Sequence, residues 1–152
     1  MKSKLFLYLA IFVLSIFAGT ALYYSRSHID LSSAHELDWQ ALGEMDYITG
    51  NIPENLKKWD KKLVKIPGFM VPLEDNMKKV TQFLLVPTPQ ACIHVPAPPP
   101  NQMVLVEMKR GHEVDVQFGP IWIYGDFQIQ NQRTMYGEVS YSLRGERIEL
   151  YR

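Results

Sequence analysis

The stretch Leu5–Tyr24, LFLYLAIFVLSIFAGTALYY, carries no charged side chain and decides how the rest of the chain is read. As a helix rising 1.5 Å per residue it would extend about 30 Å, the thickness of a bilayer's hydrocarbon core. Lys2 and Lys4 lie ahead of it, and the next charge is Arg26. Basic residues on the leading side predict a single-pass inner-membrane helix with the N-terminus cytoplasmic, Tyr23 and Tyr24 at the far interface and the C-terminal domain in the periplasm. The membrane, through residues 5–24, is thus the first expected partner. The alternative is a cleaved export signal, with Gly19 and Ala21 near the cut, leaving a soluble periplasmic domain. The chain then divides into an anchor or signal at 1–27, a polar tether at 28–36 and an exported domain at 37–152.

Charge excludes one class of partner. Taking Lys2, Lys4 and Arg26 from the 16 basic residues leaves 13 against 16 acidic ones, a net charge of −3 for the exported part. No nucleic-acid surface is expected from such a balance. Glycine-rich nucleotide loops, paired zinc cysteine motifs and an HExxH helix are absent from the sequence, so those mechanisms have no local support.

Two short helices are predicted early. Leu37–Gly43 begins near Asp38 as a cap and ends at Gly43, and Pro53–Asp60 has proline in its first turn with Leu56 and Trp59 on one face. From Lys62 onward the pattern becomes alternating and apolar. Strands are expected over Val80–Val86, Met103–Met108, Glu113–Phe118, Ile121–Ile129 and Val139–Tyr141, with a return at Arg147–Tyr151. Turns are expected at Lys109–Gly111, Phe118–Pro120, across the polar run Gln128–Thr134 and at Arg144–Glu146. The predicted fold is mainly β, a small partly open OB-like β-barrel with short N-terminal helices behind one transmembrane helix. A β sandwich is the alternative.

Prolines at 87, 89, 96, 98, 99 and 100 make PTPQACIHVPAPPPNQ a stiff extended crossing, since proline donates no amide hydrogen bond and fixes its backbone angle. Inside it lie Cys92, the only cysteine, and His94. In an extended chain residues two apart face the same way, so a soft thiolate and an imidazole would meet at one place. Zinc or copper is the ion such donors suit, with Glu74 and His112 as further ligands and Asn101 and Gln102 as hydrogen-bonding support. His28 and His35 would reach a site only if the tether folded back. Two other readings stay open: a packed structural cysteine, and a thiol activated by His94 for covalent or redox chemistry.

Lys65-Ile-Pro-Gly-Phe-Met-Val-Pro-Leu-Glu74, Phe83-Leu-Leu-Val-Pro87 and Ala91-Cys-Ile-His-Val-Pro-Ala-Pro-Pro-Pro-Asn-Gln102 together resemble the bacterial DUF3299 family of exported proteins of uncharacterised function. The resemblance runs from about Leu37 to Leu150. It places Cys92, His94, Pro100, Asn101 and Gln102 on the family's distinctive positions, with Gly68, Pro72, Glu74 and, after a strand, Gly125. It implies an envelope-localised accessory domain associated with a transport system, and it supplies no reaction. The leading expectation is therefore a non-enzymatic envelope domain that binds a transition metal and a transporter or other envelope partner. A thiol-dependent enzyme or redox protein using Cys92 and His94, and a structural or peptide-binding module using the proline-lined surface and one exposed strand, are the alternatives.

Overall fold

The computed structural model describes residues 8, 11–20, 30–76, 78–89 and 98–151, in two compact units, Met1–Ser32 and Ser33–Arg152. In the first, residues 11–20 form helix α1 with exposed side chains, and the hydroxyls of Ser15 and Thr20 donate back to the carbonyls of Phe12 and Phe17. Among the described residues no helix is long and apolar enough to cross a membrane. This corrects the single-pass inner-membrane anchor and the membrane as a partner; of the 5–24 run, Tyr8 and residues 11–20 are described and the other positions lie outside the described residues.

The second unit begins with β1 (His35–Glu36), followed by the short helices α2 (Trp39–Gly43) and α3 (Glu54–Lys57). His35, expected in the tether, instead stacks on Trp59 with ring centroids 3.5 Å apart. Seven more strands follow: β2 (Leu63–Pro72), β3 (Lys79–Val80), β4 (Gln82–Val86), β5 (Val104–Met108), β6 (Val114–Asp115), β7 (Ile121–Thr134) and β8 (Gly137–Leu150). The main sheet has the order β1-β2-β4-β5-β8-β7, while β3 and β6 form a separate two-stranded ladder. Most neighbours are antiparallel, but β1 with β2 and β5 with β8 run parallel. Besides β1, strand β2 pairs with β7 over Leu63–Gly68 and with β4 over Phe69–Pro72.

A mixed six-stranded sheet with short helices thus replaces both the partly open OB-like barrel behind a transmembrane helix and the β sandwich. Two expected turns proved to be strand. The polar run Gln128–Thr134 continues β7 to a hairpin at Met135–Tyr136, and Arg144–Glu146 lies inside the single strand β8. The run is polar because its side chains stand on solvated parts of the ribbon, a pattern that resembles a loop when read along the chain.

Alternation places the core. Val64 and Ile66 of β2, Phe83 and Leu85 of β4, Val104 and Val106 of β5, Ile123 and Phe127 of β7, and Tyr141 and Leu143 of β8 share one buried cluster with Leu42 and Leu56 of the helices. Each fully buried aliphatic or aromatic side chain contributes about 1.5–3 kcal/mol. The intervening residues Leu84, Val86 and Leu105 pack with Met103 and Val139 in a second cluster on the other face. Apolar packing on both faces explains why Phe83–Val86 reads as an unbroken hydrophobic run.

Candidate functional site

Of the residues expected to ligate a metal, Glu74 and His112 are among those described. Cys92 and His94 lie outside the described residues. Glu74 is engaged in a turn: its Oε1 accepts hydrogen bonds from the Thr81 amide at 2.6 Å, the Thr81 hydroxyl at 2.7 Å and the Gln82 amide at 2.8 Å. The Thr81 hydroxyl, followed by these two amides, stabilises the carboxylate and holds its pKa below the ordinary range. Among the described residues no group of three histidine, cysteine or acidic side chains is placed to hold an ion.

Asn101 and Gln102 belong to a different construction. Asp38 caps α2 by accepting from the Ala41 amide at 2.7 Å, as its position in the sequence suggested. A helix this short leaves its carbonyls without intrahelical donors, and the rest of the fold supplies them. Tyr141 donates its hydroxyl to the Leu42 carbonyl at 2.6 Å, and the Asn101 Nδ2 donates to the Gly43 and Met45 carbonyls at 3.1 and 2.9 Å. The Gln102 Nε2 donates to the Trp39 carbonyl at 3.1 Å, and the Trp39 indole to the Pro67 carbonyl at 2.6 Å. Burial pushes the Tyr141 phenol well above its ordinary pKa, so it stays a neutral donor. Gly43 matters through close approach: a Cβ there would lie 2.8 Å from the Gln102 Nε2. Asn101 is 7% exposed, and its Oδ1 has no hydrogen-bond partner among the described residues. These polar residues bind the helix to the sheet.

The opposite end of β8 is built differently. Parallel β5 accompanies β8 only as far as the Met108–Gly145 pair, whereas β8 continues to Leu150 beside β7. At that point Gly125 faces Gly145 and Tyr124 faces Arg147, which leaves Glu146 as the extra residue of a β-bulge. The two glycines permit the approach: a Cβ on Gly125 would lie 2.3 Å from the Arg144 carbonyl oxygen, and one on Gly145 2.6 Å from the Met108 sulfur. Gly125 therefore sits within a strand rather than after one. The bulge aims Glu146 at Lys109, which also lies 3.9 Å from Asp126.

Beyond the bulge, no strand among the described residues lies on the β5 side of β8. A groove of about 420 Å³ runs there between Glu146–Ile148 and Leu150 of β8 and His112–Asp115 with Gln117, floored by Met108. His112, expected as a metal ligand, is an exposed wall of this groove. The other face of the same strand pair carries a second hollow of about 480 Å³, lined by Trp122, Tyr124, Glu149 and Leu150. A strand at Arg147–Tyr151 was expected from the sequence, but neither the bulge before it nor the groove beside it was. The available signal was Gly145 inside a strand-like pattern, which marks a bulge as readily as a turn.

A family model described as a protein of unknown function, DUF3299, matches residues 34–150. A crystal structure of a DUF3299 family protein from Pseudomonas aeruginosa PAO1 is similar, with 28% sequence identity and a TM-score of 0.61, over 79% of this chain and 97% of that one. No curated protein matches this chain.

Proposed function

This chain belongs to the DUF3299 family, and for this member we propose a peptide-binding role in which an extended segment of a protein partner adds a strand to β8 over Glu146–Leu150. The observation that carries the proposal is the open strand edge. Five residues of β8 extend past the end of β5 with β7 as their one neighbouring strand among the described residues, and a groove flanks their other side. Unpaired amides and carbonyls along such an edge form a template for a further strand. The uncharged run after Lys2 and Lys4 supports an exported setting for this module.

Hydrogen exchange tests the reading. A panel of blocked extended peptides should include members that slow amide exchange at Glu146–Leu150, and N-methylating alternate peptide amides should abolish that protection. Protection confined to other elements, or insensitivity to N-methylation, overturns strand addition. Cys92→Ala and His94→Ala should leave peptide affinity unchanged; loss of binding in either would return the site to the proline-rich crossing.

A further inference from the structure

The two hollows beside β8 lie on opposite faces of the same strand pair. Ile121 and Ile123 of β7 are buried in the core, so Trp122 and Tyr124 between them face outward. Register places Glu149 beside Trp122 and Arg147 beside Tyr124 on that outer face, and Ile148 beside Ile123 on the core side. The outer hollow is thus aromatic, while the groove lies on the side of Met108, Val114 and Ile148, which pack with the core. Leu150 borders both.

Charge separates the two further. Of the charged residues that border the groove, Glu146 is taken by Lys109, and Arg147 is drawn to Glu149 on the outer face at 3.0 Å. That leaves the exposed carboxylates of Glu113 and Asp115, neither in an ion pair among the described residues, against Lys79 alone. A lysine or arginine suits such a wall, laying its aliphatic stem along Met108 and Ile148 and its charge near the carboxylates. The outer hollow, with Trp122, Tyr124 and Leu150, suits an aromatic or large aliphatic side chain.

We infer that the β8 edge selects an extended peptide in which a basic residue alternates with an aromatic or large aliphatic one, because successive side chains of an added strand enter opposite hollows. This inference rests on the strand-addition reading and names its partner's chemistry. The probes are blocked pentapeptides: Thr-Lys-Tyr-Lys-Thr, its isomer Lys-Lys-Thr-Thr-Tyr, and Thr-Glu-Tyr-Glu-Thr, each measured by calorimetry and hydrogen exchange on the full chain. The alternating basic peptide should bind about tenfold more tightly than either of the others, a difference of about 1.4 kcal/mol. The doubly reversed variant Glu113→Lys/Asp115→Lys should prefer the glutamate peptide, and Leu150→Ser should weaken both alternating peptides. Equal binding of all three with protection still on β8 overturns the inference and leaves strand addition standing. Tight binding without protection of β8 removes both. Since Glu113, Asp115 and Leu150 are exposed, each variant's unfolding midpoint distinguishes lost recognition from lost fold.

Discussion

The two ends of β8 deal with polar groups in opposite ways. At the Tyr141 end, side chains from two parts of the chain converge on the carbonyls of α2, and the tyrosine is fully buried. At the Glu146–Leu150 end the strand loses its β5 neighbour, bends at a bulge and borders a groove. One end uses hydrogen-bonding capacity to hold the fold together; the other leaves it available to a partner. A polar residue singled out by type alone can belong to either. Asn101 and Gln102 were expected to support a metal and instead fasten a helix, whereas Glu113 and Asp115 drew no attention and line the open end.

The largest effect that would break this contrast is expected at the bulge. Gly125→Ala forces a Cβ against the Arg144 carbonyl and should cost about 3 kcal/mol in urea unfolding, by overpacking where backbone cannot yield. Unchanged stability would mean that the strands need not approach so closely there. At the closed end, Tyr141→Phe leaves the Leu42 carbonyl without its donor and should cost about 1–3 kcal/mol, with peptide affinity at the far end unchanged. A parallel loss of affinity would show that the two ends are coupled.

Acid unfolding sharpens the place of Glu74. Its folded pKa is depressed, so its stabilisation is fully present above the pKa of an unfolded-chain glutamate and disappears as pH falls through the lower folded value. Glu74→Gln should therefore lose stability at neutral pH and show a shallower acid limb than the parent. An identical acid limb would contradict the turn-locking role. The smallest effect is expected at the open end, where Arg147→Ser removes an exposed ion pair and should change stability by no more than about 0.5 kcal/mol. A large loss there would mean that the groove wall is structural.

Several elements were legible before any coordinates. Asp38 as a helix cap, Leu56 on a buried helix face and the strands β4 and β5 follow from local chemistry and alternation. The end of β7 and the continuity of β8 were not legible, because Gln128–Thr134 and Arg144–Glu146 have turn-like composition and become strand only through cross-strand pairing. Glu74 was visible as a carboxylate at the end of an apolar stretch, but its partners Thr81 and Gln82 depend on the way β3 and β4 return beside β2. The metal set was assembled from residue types; fold geometry put Glu74 in a turn and His112 on a groove wall.

By itself, then, the sequence determined a mainly β chain, an uncharged apolar leader and family membership, since each is written in local pattern and composition. Tertiary structure alone decided the mixed strand order, the role of Asn101 and the open edge of β8. Those depend on which distant segments meet: β5 stops at Met108, Glu146 is the extra residue of a bulge, and the unpaired length of β8 exists only relative to its neighbours.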